Sequence, residues 1–250
     1  MTHPPLVRIL LLAAFSCAGV LCGQDAAPEA AAVVSEKQTP PAEFLDALGK
    51  TSRARWRLYF RPPPPTPPVD RSKAALILGS LIAESHLIWQ ASDAQQFRNN
   101  NQDLITYCRM IGVGTEIMPR LMAQGKMAEE EKWKELRVEI SLTHDELQRE
   151  LREMKDEDLA RLVDTGMWLR LLEVSSSIGA EVPTEIAPDV YLTSQSAAKE
   201  LRGYLSSVSP ELMGEAKHLQ QLRTMLDTFT KPGDKASDSI HMMMQSLLEK

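Results

Sequence analysis

Residues 74–89 read AALILGSLIAESHLIW. Ala74, Ile77, Leu78, Leu81, Ile82, Ile88 and Trp89 recur at three- and four-residue steps, the spacing of a helical turn, and Phe97 continues the series. Alanine and leucine fill the positions between them, so the helix is apolar around most of its circumference. Such a helix belongs at the centre of a protein and needs other helices to cover it.

The sequence downstream supplies them. Leu104, Tyr107, Cys108 and Ile111 form the next stripe, closed by Gly112 and Gly114 as stop signals. A short turn of helix is expected at 117–122. Residues 126–154 read as the longest helix, with Trp133, Leu136, Ile140, Leu147, Leu151 and Met154 on one face and Thr143 in the gap. Asp156, Glu157 and Asp158 place acid where the next helix begins, which suits a cap and the positive end of its dipole. That helix runs through Leu159, Leu162, Val163, Trp168, Leu169 and Leu172 toward Ile178. Pro183 and Pro188 mark a break at 179–189 that can separate two lobes, 71–178 and 189–250.

Beyond the break, Ala197, Leu201, Tyr204, Leu205 and Val208 mark one helix. Ser209-Pro210-Glu211 opens a second, with its core stripe on Leu212, Ala216, Leu219, Leu222 and Leu226, and Lys231-Pro232-Gly233 stops it near Phe229. Ile240, Met243, Met244, Leu247 and Leu248 make the last helix amphipathic, with Met242-Met243-Met244 read as core rather than as a soft binding surface. No alternating window supports a strand, and no period near 34 or 40 residues recurs. The expected fold is all-α, an irregular multi-helix bundle of about seven to nine helices.

Upstream the chain is organised differently. His3 and Arg8 precede an uncharged run, 9–22, followed by Gly23 and Gln24, the layout of a signal peptide over 1–23. The run is shorter than the roughly 20 residues a membrane-spanning helix requires. Removal is therefore the expectation, with no transmembrane span in the mature chain. An uncleaved anchor is the lesser alternative, and so is a lipid anchor, because Ala14-Phe15-Ser16-Cys17 resembles a lipobox but departs from it at Ala14 and Phe15. Residues 24–42 have the composition of a flexible linker. Residues 43–70 hold a short helix, 43–60, and then Arg61-Pro62-Pro63-Pro64-Pro65-Thr66-Pro67-Pro68, which reads as a polyproline II spacer. Trp56, Tyr59 and Phe60 lie at i, i+3 and i+4 of that helix, an apolar patch for the bundle or a partner to cover.

Composition narrows the function classes. The chain is 43% hydrophobic with a net charge of −6, one unit more negative once Arg8 is lost. That balance argues against nucleic acid and against anionic lipid as the main partner. Cys108 stands alone after residue 23, so no internal disulfide can form although an exported protein would permit one.

Motifs for common chemistries are missing. There is no His-Glu-x-x-His, Cys-x-x-Cys, Gly-x-Ser-x-Gly or glycine-rich phosphate loop, and no cofactor is implied. Metal-ligand candidates are Glu215 with His218 and Asp238 with His241, since di-metal bundles use a Glu-x-x-His step on each of two helices, with Glu84 and Glu139 nominated as the further carboxylates. His218 flanks the core stripe and Asp238 suits a helix cap, so the spacing favours structural roles. Glu84 and His86 interrupt the most apolar helix, but residues two apart cannot partner each other. His86 is expected to bond backbone, and Glu84 to look out through a gap. Arg61-x-x-Pro64-x-x-Pro67 has the form of an SH3 ligand, although an exported protein seldom meets such readers. The leading expectation is a non-enzymatic protein-interaction or scaffold module of the bacterial envelope, with another envelope protein as partner. The alternatives are a helical hydrolase or metal-dependent enzyme with a site between lobes, and an apolar-ligand carrier with a cavity beside the 74–89 helix.

Overall fold

The structure is a computed structural model, described over residues 39–228 and 234–248. The signal segment 1–23 and most of the 24–42 linker lie outside the described residues. Within them every regular element is helical: α1 Pro41–Ser52, a 3-10 turn Trp56–Tyr59, α2 Arg71–Ala91, α3 Ala94–Ile111, α4 Gly114–Glu129, α5 Trp133–Glu153, α6 Glu157–Glu181, α7 Ala187–Ser206, α8 Pro210–Glu215, α9 Lys217–Thr228 and α10 Asp234–Leu248. The all-α bundle is as expected, with ten α-helices in place of seven to nine.

The extra helices come from breaks that hydrophobic periodicity does not register. Arg53, Ser92, Glu131 and Lys155 all take positive φ, between 50° and 61°, a conformation for which the sequence offers glycine only at Gly112. Arg53 ends α1 eight residues short of the expected limit at 60. Ser92 ends α2, and Asp93 caps α3 by accepting from the Gln96 N–H at 3.0 Å, so Phe97 belongs to α3. Glu131 lies in the break that divides the expected 126–154 helix into the end of α4 and all of α5. The longest helix is therefore α6, with 25 residues. The expected turn at 117–122 is the middle of α4, and Gly114 begins that helix rather than ending α3. Ala216 divides the expected 211–229 helix into α8 and α9. The break at 179–189 is a turn over 182–186 inside one compact unit that takes in all the described residues.

α2 and α6 form the axis. α2 starts where Asp70 accepts from the Ser72 N–H at 2.8 Å, and it is buried from Ala74 to Ile88 except at Ser80. The two helices touch backbone to backbone. A methyl carbon added at Gly79 would lie 1.8 Å from the Val163 carbonyl oxygen, and one added at Gly166 would lie 1.9 Å from that of Leu76. Only a residue without Cβ fits either position.

The other helices wrap this pair. α7 and α10 pack on α6, α3 packs on α2, and α1 seats Phe44, Leu45 and Leu48 in the core, with the Phe44 ring edge-on to Trp168 at 5.6 Å between centroids. A second cluster, Ile88, Phe97, Ala128, Leu136 and Ile140, lies between α2, α3, α4 and α5. Trp56, Tyr59 and Phe60 are half-buried against the main core, which covers the expected patch, although they sit in and beside the 3-10 turn rather than on an α-helix. The Met242–Met244 run divides: Met244 is core, Met243 is half-buried, and Met242 is exposed.

Candidate functional site

Burying α2 and α6 on nearly all sides brings their polar residues inside. α6 carries Arg170 and Glu173, three residues apart and so on one face, and α2 carries Glu84 opposite them. All three side chains are 2–3% exposed. Arg170 donates from Nε to Glu84 Oε2 at 3.1 Å and from Nη1 to Glu173 Oε2 at 2.6 Å. Its Nη2 also donates to the Tyr59 carbonyl.

The segment after the 3-10 turn completes the cluster. The Arg61 backbone N–H donates to Glu84 Oε1 at 2.8 Å, and its guanidinium Nη2 lies 2.5 Å from Glu173 Oε1. From α10, His241 Nδ1 stands 3.2 Å from the same Glu173 oxygen and 3.0 Å from Arg61 Nη2. A single ring nitrogen can donate to the carboxylate or accept from the guanidinium, not both at once. Tyr59 reaches outward and donates its phenol to Glu181 Oε2 at 2.7 Å.

The electrostatics are those of ions taken out of water. Burial pushes the Glu84 carboxyl above its ordinary range, against the pull of Arg170 and the Arg61 N–H. Burial also opposes the Arg170 cation, but Glu84 and Glu173 outweigh it and hold the guanidinium above its ordinary value. Removing two charges from water costs several kcal/mol per ion, recovered only with good geometry and full hydrogen bonding. Those bonds join α2, α6, α10 and the 59–61 segment.

Glu84 therefore faces inward onto Arg170, correcting the expectation that it looks out through a gap. His86 is corrected as well. It is buried, its Nδ1 has no hydrogen-bond partner, and burial pushes its pKa down to about 3. Of the six nominated metal ligands, the structure brings only Glu84 and His241 into one cluster, and they meet arginines there. Glu139 pairs with Arg120 at 2.7 Å on the α4–α5 surface. Glu215 and Asp238 are exposed, and His218 is half-buried on α9. Among the described residues no group of three or more His, Cys, Asp or Glu side chains is placed to share a metal ion.

A second polar group joins α5 to α6. His144 Nε2 lies 2.8 Å from Asp164 Oδ1, and Gln148 Nε2 donates to that oxygen at 3.1 Å and to the Ala160 carbonyl at 3.0 Å. An imidazole oriented by a carboxylate has the parts of a general base. His144 also lines a cavity of about 20 Å³ with Leu78, Ile82, Ser85 and Cys108, beside α2 where an apolar ligand would be expected. That volume holds one water molecule, not an acyl chain. Burial pushes the Cys108 thiol up to about 12, the setting of a packed and inert cysteine.

Arg170, Glu173 and Asp164 escaped the sequence reading. A charged residue inside an otherwise apolar run such as Trp168-Leu169-Arg170-Leu171-Leu172-Glu173-Val174 was the available signal. Arg61, whose charge an SH3-type reader would need to meet, is committed to Glu173 inside the bundle. The chain matches no family model, no curated protein and no solved structure.

Proposed function

We propose that the chain is an exported helical module of the bacterial cell envelope, acting through contacts with another envelope protein rather than by catalysis. One observation supports this reading above the rest: the deepest charges, Glu84, Arg170 and Glu173, are engaged with one another and with Tyr59 and Arg61, so they serve to join segments. Polar groups spent on joining elements make a rigid body, and a rigid body suits a scaffold. The export layout of residues 1–23 supplies the address.

The test has two arms. The full-length chain expressed in a bacterium is expected to appear outside the cytoplasm with an intact mass that begins near Gly23 or Gln24. Cross-linking in intact cells is expected to join it to one defined envelope protein. A cytoplasmic product of unprocessed mass, or a purified protein that turns over a substrate and loses that turnover in Glu84→Gln, would defeat the reading.

A further inference from the structure

The chain between the 3-10 turn and α2 reads Pro62-Pro63-Pro64-Pro65-Thr66-Pro67-Pro68-Val69 and carries no charge. The bundle ties it at both ends. Upstream the Arg61 N–H donates to Glu84 Oε1 at 2.8 Å, and downstream the Asp70 side chain accepts from the Ser72 N–H while its carbonyl accepts from the Ala74 N–H at 2.9 Å. Between those ties the segment stays at the surface. Pro62, Pro65, Thr66 and Pro67 are exposed, and Val69 is 100% exposed.

The local backbone follows from the residues. Each residue from Arg61 to Pro64 precedes a proline and is confined to extended geometry. Phe60, at the head of the run, already has φ −65° and ψ 138°, the angles of polyproline II. That helix repeats about every three residues, so Pro62 and Pro65 lie on one side. Both are exposed while Pro63 and Pro64 are half-buried, so that side faces away from the bundle. A bend follows at Pro65-Thr66.

The hydrogen-bonding capacity of the segment is one-sided. From Pro62 to Pro68 only Thr66 has a backbone N–H, and no backbone N–H among the described residues donates to a carbonyl of 62–69. A surface with carbonyl acceptors, almost no donors and no charge cannot extend a sheet edge and offers nothing to a phosphate. Its complement is a groove lined by Trp and Tyr, whose ring faces pack on proline rings and whose indole N–H and phenol O–H supply the donors.

We infer that the Pro62–Val69 segment is a docking surface for an aromatic-lined groove on another envelope protein. Arg61 is committed to Glu173, so recognition rests on the prolines rather than on a flanking charge. The prolines hold φ in advance and both ends are fixed, so little ordering remains to oppose binding. The inference deepens the protein-contact reading and rests on it for the existence of a partner.

Photo-cross-linking in the native cells tests it. The full chain carries a benzophenone amino acid at Thr66, at Val69 or, on another face, at Val138, which is 58% exposed on α5. Thr66 and Val69 are expected to join one envelope protein at a peptide containing Trp or Tyr, and Val138 is expected not to. In isolated envelopes a short oligoproline peptide is expected to suppress the product. Pro62→Ala/Pro65→Ala is expected to weaken it about tenfold. Both side chains are exposed, so the double variant should keep the wild-type circular dichroism spectrum. A product that survives the oligoproline or the double substitution, a product mapped to lipid or to a peptide without Trp or Tyr, or no product from Thr66 and Val69 overturns the inference. A defined protein joined only through Val138 overturns it and leaves the protein-contact reading standing, whereas no defined protein from any of the three positions defeats both.

Discussion

At the crossing of α2 and α6 two backbones meet through Gly79 and Gly166, whereas α4 and α5 meet through side chains, Leu121 and Ala128 on one helix and Leu136 and Ile140 on the other. The polar groups differ in the same way. Between α2 and α6 the ions are Glu84, Arg170 and Glu173 at 2–3% exposure. Between α4 and α5 the pair is Arg120 with Glu139, at 35% and 17%. A helix with one wet face can place its charges there and screen them with solvent. A helix with no wet face must pair its charges inside, and each pair then becomes a condition on the fold.

The largest test of that contrast is Arg170→Met. It leaves Glu84 in the interior without a cation and Glu173 with Arg61 alone, and should cost about 4 kcal/mol in a urea titration. Arg120→Met, facing solvent, should cost less than about 1 kcal/mol. Equal losses would erase the distinction between the two helix pairs.

Gly166→Ala comes next. Its Cβ would fall within 1.9 Å of a carbonyl oxygen, so α2 and α6 must separate, at a cost of about 3 kcal/mol. Gly203→Ala on α7 is the control. Nothing lies within 4 Å of its added Cβ, and the exchange should stabilise the protein by about 0.5–1 kcal/mol.

His86 sharpens the comparison by pH. Its folded pKa of about 3 lies below the ordinary 6.5, so as pH falls the unfolded chain takes up a proton before the folded chain can. The stability it contributes is fully present above pH 6.5 and is lost progressively as pH falls toward 3. Between pH 7 and pH 5 the loss should be about 2 kcal/mol. His86→Leu should flatten that part of the profile by the same amount, measured as thermal or urea stability against pH.

How far the sequence could be read varied with the residue. The apolar 74–89 run identified α2 and its burial, because a stripe that closes around the whole helix has one physical outcome. Asp156 to Asp158 marked the start of α6 by acid at the positive end of its dipole, although the Asp156 side chain pairs with Arg71 and makes no cap bond, and Ser209-Pro210 marked that of α8 by a cap and a first-turn proline. The breaks at Ser92 and Glu131 were hidden because non-glycine residues seldom take the left-handed conformation, so nothing local announces it, and the packing of the flanking helices imposes it there. Glu84 was visible but misjudged. Its partner lies 86 residues away, and no local rule links the two.

The amino-acid order alone determined that the described chain is helical and which of its segments are apolar enough for an interior. Those properties depend on residues within a turn or two of each other. The tertiary structure decided that Glu84, Arg170 and Glu173 share one buried cluster with Arg61 and the half-exposed His241 at its edge, and that Gly79 and Gly166 face each other's helices. Each of these depends on how distant segments cross or where a backbone bends. The free energy that selects such an arrangement belongs to contacts between segments, and hydrophobic periodicity within any one segment does not contain it.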